Sequence, residues 1–438
     1  MGQLYLFANI DEIAMYEEIA SDWQLKQAFK TVKANKGSPG IDGQTIEEFA
    51  ANLQDEIKKL SEELLKWKYK PKPVKRVEIP KPGGKGVRKL GIPCVRDRVV
   101  QQAIKMCIEE LFEKQFSPSS YGFRPARSQK QAIEKATEYV NDGYEWIVDL
   151  DLEKFFDKIP QDRLMTKLAQ TIKDRRVLKL IGMTLRSGIT SSEGLTEAST
   201  EGTPQGSPLS PLLSNVVLNE LDKELEKRGL RFCRYADDCN VFCRSEKAAK
   251  RVMESLTRFI EKKMKLVVNK EKSKVAKSNQ VKFLGMTIVE GLVMIARKSM
   301  EKANTKLREL IPRRSHKTIE QTIESVNRWY RGWYEYFKTT QIPAQLGKIE
   351  AHIRRRIRAK IVVQQKRKRH LVKLLIKKGV KKAQANRVYS AGGTWAISHI
   401  KAVEMAFSNS WFKQMGLLTF SGNKLSHWKS LKTWIALT

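Results

Sequence analysis

Apolar side chains recur at helical spacing from residue 22 to about 70, with Leu25, Phe29 and Val32 on one stripe, and the turn-rich NKGSPGIDG at 35 to 43 interrupts them. At residue 69 the character changes. Two short strand-like runs, Val74 to Ile79 and Val87 to Leu90, flank a Pro-Gly-Gly turn with basic residues on both arms, which predicts a basic hairpin. An apolar-periodic helix is expected over 99 to 115, a loop at SYGFRP (120 to 125), and a helix over 128 to 143 ending near Gly143. EWIVDLDLEKFFDKI, residues 145 to 159, reads as a buried strand in which Trp146, Ile147, Val148, Leu150 and Leu152 surround Asp149 and Asp151. One helix is expected over roughly 161 to 186. A proline-rich loop from 201 runs into a long helix ending by 229, and FCRYADDCNVFC, 232 to 243, predicts two buried strands meeting at Asp237 and Asp238.

From about 296 the pattern is helical throughout. Met300, Ala303, Leu307 and Leu310 form one stripe, Ile323, Val326, Tyr330, Trp333 and Phe337 a second, and Leu346, Ile349, Ile353 and Ile357 a third. Three amphipathic helices with short connections predict a small bundle, with Trp329, Trp333 and Tyr336 in its core. Residues 371 to 389 fit two short helices about Gly379. Strands and helices in this order give an α+β class and not a regular parallel α/β repeat.

The 438 residues exceed one ordinary core and predict two to four domains. Lysine and arginine number 83 against 48 acidic residues, a net charge of +35. Solubility alone asks for far less, so a polyanion, nucleic acid before a membrane surface, is the expected partner. Cys94, Cys107, Cys233, Cys239 and Cys243 have no histidine at zinc-ligand spacing. Free, buried thiols in a reducing compartment are expected. The N-terminal MGQLYLFANIDEIAMYEE lacks a basic segment before its apolar residues, and no window holds some 18 uninterrupted apolar residues, which predicts a soluble, cytoplasmic protein.

Asp237 and Asp238 are flanked by Phe232, Cys233, Val241 and Phe242, and two carboxylates in so apolar a setting repel unless a cation lies between them. A hard divalent ion with oxygen ligands is the natural compensation, and a third carboxylate on a neighbouring strand would complete its site. Asp151 is the best candidate, because the apolar run around it predicts a central strand, and Asp149, two residues away on the same face, competes for the role. Two Mg²⁺ ions about 3.5 to 4 Å apart in such a site serve nucleotidyl transfer, activating a 3′-hydroxyl and stabilising the leaving pyrophosphate. The P-loop signature of a helicase or ATPase does not occur.

The ordered succession YGFRP, DLEKFFD, TPQGSPLSPLLSN, RYADD, NKEKS and FLG, followed by VNRWYRGWYEYF at 326 to 337, resembles the reverse transcriptases of bacterial group II introns. The similarity runs from about residue 20 onward and is greatest to the compact class without a C-terminal endonuclease. It implies a right-hand polymerase with an N-terminal extension (1–68), fingers and palm (69–295), an α-helical thumb or maturase bundle (296–370) and a small basic DNA-binding segment (371–438). Asp151, Asp237 and Asp238 match the metal-binding triad, which places Asp151 ahead of Asp149. Lys81 and Arg88 match residues that hold the triphosphate, and Phe156 the side chain that excludes a 2′-hydroxyl. Gln205 matches a residue beside the nucleotide, and Lys272 the lysine that protonates the leaving pyrophosphate. Phe283, Leu284 and Gly285 resemble the primer grip. Ser207 stands where the family more often has a second glycine, and Ser273 where it more often has threonine.

The function implied is RNA-directed DNA synthesis with two Mg²⁺ ions and dNTPs on an RNA template with a DNA primer. Maturase binding of the parent intron RNA for splicing, and retrohoming into a DNA target at an existing 3′ end, are implied with it. Arg354, Arg355 and Arg358 on the last bundle helix, with Lys366 and Arg367, are expected to meet phosphates. A nucleoid-associated location when on DNA and no membrane partner complete the expectation. A splicing factor with a vestigial polymerase site, and a domesticated reverse transcriptase in defence or repair, are the rival readings.

Overall fold

The computed structural model describes residues 15–80, 86–190, 196–197 and 201–421, so Lys81 and the end of the basic C-terminal segment lie outside the described residues. The chain forms two compact units, Met1–Lys277 and Ser278–Thr438. Among the described residues no helix is long and apolar enough to cross a membrane.

The first unit opens with helices Met15–Ala20, Asp22–Ala34, Ile46–Ala51 and Leu53–Leu65. Ser21 caps the second through its side chain, and Thr45 with Glu48 makes a reciprocal capping box on the third, which satisfies amide groups that a helix start leaves unpaired. The stripe of Leu25, Phe29 and Val32 is buried, as its spacing predicts. The basic hairpin is present as β1 (Val74–Pro80) and β2 (Val87–Ile92), antiparallel from Lys75↔Ile92 to Pro80↔Val87.

The central sheet contains β3 (Trp146–Leu150). After it come a small pair that extends the sheet of the basic hairpin, β4 (Ile189–Thr190) and β5 (Thr196–Glu197). The strands β6 (Arg231–Tyr235), β7 (Asp238–Cys243) and β8 (Lys274–Lys277) then complete the central sheet, in the order β6-β7-β3-β8. All its pairings are antiparallel. Leu150 pairs with Cys239, so Asp151 and Asp238 lie one step beyond that pair at the same end of the sheet.

The single helix expected over 161 to 186 is two, Gln161–Thr171 and Arg175–Leu185. Asp174 divides them. Its carboxylate accepts the amide N–H of Arg176 at 2.8 Å and that of Tyr16 at 3.2 Å, while Ile172 is already extended. Both halves bury leucines on one side, so an apolar period runs through the break undisturbed.

The largest buried side chain is Arg234, with no exposed surface, and it pairs with the equally buried Asp222 of helix Ser210–Lys227 at 2.7 and 2.6 Å. Its remaining donors go to the Asn215 side-chain oxygen at 3.0 Å, the Ala236 carbonyl at 2.8 Å and Ser120 Oγ at 2.7 Å. One guanidinium thus ties a helix, the 117–124 loop and the β6–β7 turn together.

The second unit begins with β9 (Met286–Val289) and β10 (Leu292–Ile295), followed by helices Arg297–Leu310, Ile319–Phe337 and Pro343–Gln364. The hairpin goes with the helices and not with the central sheet: the Gln341 side chain accepts the Val293 amide at 2.7 Å, and Gln345 donates to the Ile295 carbonyl at 2.9 Å. The three expected stripes face one another, with Leu307, Tyr330 and Ile357 fully buried. Tyr336 departs from the expectation. It is exposed, because its hydroxyl reaches the Leu284 carbonyl at 3.2 Å instead of the core. Helix Lys368–Lys377 spans the expected 370/371 boundary, and Leu371, Leu375 and Phe412 share one core with Leu307 and Ile353.

Removing one partner of a buried ion pair strands the other charge, at a cost of about 3 to 5 kcal/mol. Arg234→Met is therefore expected to lose that much stability in chemical denaturation. A loss under about 1 kcal/mol would mean that Asp222 finds another partner.

Candidate active site

The β6–β7 turn is two residues long, Ala236 and Asp237, closed by the Tyr235↔Asp238 pair, with Ala236 in the left-handed region at φ +58°. Gly122 lies directly beneath it. A Cβ at Gly122 would stand 2.2 Å from the Ala236 nitrogen, closer than any real contact, so only glycine lets the SYGFRP loop back the turn. The Gly122 carbonyl is held by the Asn215 amide at 2.9 Å, which joins the loop to the Arg234 network.

Asp151 follows the last residue of β3. Its backbone N–H is accepted by Ser273 Oγ at 3.0 Å, Ser273 Oγ in turn donates to its carbonyl at 3.3 Å, and the same carbonyl accepts the Asn269 amide at 2.8 Å. A hydroxyl is all that this contact needs, which accounts for serine in the place of threonine. Lys272 Nζ stands 3.5 Å from Asp151 Oδ1. Asp149, the competing carboxylate, sits inside the strand opposite Asn240 and Lys274.

A cleft of about 1010 Å³ brings Asp151, Asp237, Lys272, Arg88, Gln205 and Phe156 together. Asp149 and Asp238 are not among its lining residues; Asp238 begins β7 and is half-buried. Asp237 is exposed at the cleft surface, yet desolvation by the surrounding protein raises its pKa above the usual carboxylate range; a backbone hydrogen bond opposes the rise, the Asp151 charge adds to it, and Arg88 and Arg234 pull against it. Among the described residues no three carboxylate, histidine or cysteine groups already enclose a metal position. Two carboxylates in one cleft, one of them destabilised by its neighbour's charge, are nonetheless a donor set that suits a hard divalent cation.

Phe156 is half-buried beside the fully packed Phe155, with ring centroids 5.4 Å apart. The Gln205 carbonyl accepts the Gly91 amide at 2.8 Å, which seats the TPQGS loop on β2. Gly206 takes φ +115°, and the residue after it has no need of glycine: Ser207 is buried with its hydroxyl donating to Gln101 at 2.8 Å. The serine departure is therefore a packing contact and not a loss of backbone freedom.

The basic bundle residues divide. Arg358, expected to meet phosphate, is buried: Nε and Nη2 donate to the Phe407 carbonyl at 3.0 and 2.8 Å, because the last helix must tie down the chain that packs over it. Arg354, Arg355 and Arg358 all line a second cleft of about 730 Å³ with Lys348, His352, His399 and Glu404, and Arg355 stacks on Trp395 at 4.2 Å. Lys366 and Arg367 are exposed between two helices. Phe283, Leu284 and Gly285 form a tight turn whose Gly285 carbonyl accepts Ser299 Oγ at 2.9 Å, within the second unit. Cys94, Cys233, Cys239 and Cys243 are buried free thiols, and Cys107 is half-buried.

Sequence reasoning did not single out Arg234, Asp222, Asn215, Gly122 or Ser273. Gly122, Asn215 and Arg234 lie within YGFRP, TPQGSPLSPLLSN and RYADD, where the motifs assign them no role, and Asp222 lies outside every motif; the four meet only through the fold. Ser273 adjoins Lys272 in NKEKS and was legible only as a substitution.

Residues 79–288 match the family model described as Reverse transcriptase (RNA-dependent DNA polymerase), and residues 300–379 match Group II intron, maturase-specific domain. Protein YkfC of Escherichia coli (strain K12) is 38% identical over 173 residues, 38% of this chain and 45% of its own length. Group II intron-encoded protein LtrA of Lactococcus lactis subsp. cremoris is 33% identical over 184 residues, 41% of this chain and 30% of its own. The match spans less than half the length of either relative. Among solved structures, a partial Cas6-RT-Cas1–Cas2 complex aligns at TM-score 0.36 and 24% identity, over 56% of this chain and 42% of that one.

The raised pKa of Asp237 has a signed consequence. The folded state keeps its proton to higher pH than the unfolded chain does, so the metal-free protein loses stability as pH rises from about 4 through the raised value. Asp237→Asn is expected to reduce that slope, leaving the part due to buried Asp97, whose pKa is pushed up to about 6, and to melt above wild type at neutral pH in chelator. Added divalent cation should stabilise the wild type and not the variant. Thermal unfolding across pH, with and without the ion, checks both.

Proposed function

The chain belongs to the reverse transcriptases that carry a group II intron maturase-specific domain, and on that premise we propose that it copies RNA into DNA and binds its parent intron RNA to promote splicing and retrohoming. The single observation that carries the polymerase reading is the cleft shared by Asp151, Asp237, Lys272, Arg88, Gln205 and Phe156. Carboxylates, two cations, an amide and an aromatic side chain converge there from five separate stretches of sequence.

The roles follow from chemistry and position. Asp151, Asp237 and Asp238 would hold two Mg²⁺ ions, which supply activation of the primer 3′-hydroxyl and charge neutralisation at the phosphates. Arg88, with Lys81, binds the triphosphate; a guanidinium offers a fork of donors suited to phosphate oxygens. Lys272, held beside Asp151, delivers a proton to the departing pyrophosphate, a contribution of about 10² to 10⁴-fold for a well-placed general acid. Phe156 closes the floor against a 2′-hydroxyl, and Gln205 lies beside the nucleotide.

Arg354, Arg355 and Lys348 face a basic cleft that Arg358 also lines with two of its donors spent on the Phe407 carbonyl, and Lys366 and Arg367 are exposed nearby in sequence, so phosphate contact is assigned chiefly to the first three together with Lys366 and Arg367. Recognition through such contacts reads the shape and backbone of a folded RNA more than its sequence. A cytoplasmic location, with nucleoid association on DNA, accords with that partner set.

The deciding experiment extends a DNA primer annealed to a long structured RNA, with Mg²⁺ and dNTPs, comparing the wild type with Asp237→Ala. Full-length DNA from the wild type and a drop of at least about 10³-fold in the variant are expected. Tight intron RNA binding with no product from either protein would replace the polymerase reading with a splicing factor.

A further inference from the structure

Phe123 combines three properties that are individually unfavourable or unusual. It is a bulky residue at φ +60°, its side chain is 46% exposed, and it lines the cleft of Asp151 and Asp237. Left-handed backbone is a strained state for such a side chain, and leaving an aromatic ring in water forgoes its burial. Strain of this kind persists only where the surroundings over-determine it.

The surroundings do so on both sides. Gly122 is trapped against the catalytic turn, where an added Cβ would meet the Ala236 nitrogen at 2.2 Å and the Tyr235 carbonyl carbon at 2.9 Å. The Gly122 carbonyl, half of the peptide bond leading into Phe123, is fixed by Asn215 at 2.9 Å. On the far side Arg124, itself nine-tenths buried, binds Glu113 at 2.6 Å and the Ser120 carbonyl at 2.8 Å. Before the glycine, the Tyr121 amide donates to the Arg234 carbonyl at 2.8 Å. Two of these clamps, Gly122 against the Ala236 nitrogen and Tyr121 on the Arg234 carbonyl, tie the Phe123 backbone to the turn that carries Asp237, while Asn215 and Arg124 hold it to the neighbouring helices and loop.

We propose that Phe123 is a nucleobase-stacking residue, whose ring packs against the base pair forming over the carboxylates and so raises affinity for the incoming nucleotide. An aromatic ring meets any base through its π-face, which suits an enzyme that must accept all four. Phe156 lies in the same cleft and takes the sugar, so the two rings divide one nucleotide between them. The proposal rests on the polymerase reading above.

The test is single-nucleotide incorporation on an RNA template by Phe123→Ala, Phe123→Trp and Phe123→Gly, with thermal melting of each protein. Phe123→Ala should raise the apparent Kd for dNTP roughly 10- to 100-fold, the range given by losing one base–aromatic stack, with primer–template affinity little changed. Phe123→Trp should recover most of that loss. Phe123→Gly should melt higher than wild type, because the strain is relieved, and yet incorporate as poorly as Phe123→Ala. Wild-type dNTP affinity in Phe123→Ala would overturn the proposal, as would a glycine variant that loses stability and activity together. A wild type unable to extend any primer would fell the polymerase reading first and this inference with it.

Discussion

The buried pair of Arg234 and Asp222 is the constraint on which the catalytic half depends. A guanidinium and a carboxylate without solvent contact are costly to desolvate, and that cost is offset only because each remaining donor of Arg234 finds an acceptor. Such a network has one geometry in which it is satisfied. That geometry holds the Ala236 carbonyl, and therefore the turn presenting Asp237, against helix Ser210–Lys227 and the SYGFRP loop. Burying the ion pair gives the site a rigid floor on which like charges can be held close together.

The general architecture was legible because it is written in periodicity. Helical stripes and alternating strands need only local sequence, and the basic hairpin, the three bundle helices and the α+β order all follow from them. The misread stretch, 161 to 186, failed where one polar group overrode the period: Asp174 caps the second helix while leucines on both sides continue the stripe. Tyr336 and Arg358 show the same limit from the other direction. A stripe cannot tell that a hydroxyl will turn outward to the Leu284 carbonyl, nor a charge run that one guanidinium will be consumed by the Phe407 carbonyl.

The site was legible in part. Residue pattern favoured Asp151 but kept Asp149 as a competitor, since two positions along a strand share a face. In the fold, β3 ends at Leu150, which leaves Asp149 among sheet pairs and delivers Asp151 to the cleft with Asp237. What no local pattern carries is the support: Ser273 on the Asp151 backbone, Gly122 under the turn and Asn215 on the loop are brought together only by tertiary contact.

Charge is also divided by role. The excess of +35 suits a polyanion, yet some of its cations are structural: Arg234, which sequence reasoning did not single out, and Arg358, which it did. The central claim is that the cleft between β3 and the β6–β7 turn holds the catalytic metal, and it is tested most directly by substituting Fe²⁺ for Mg²⁺ in the primer–template complex. Radicals generated at the bound iron with ascorbate and peroxide cut the chain nearby. The account predicts cuts at both Asp151 and Asp237, suppressed by excess Mg²⁺; cuts confined to other segments, or at only one of the two, would contradict it.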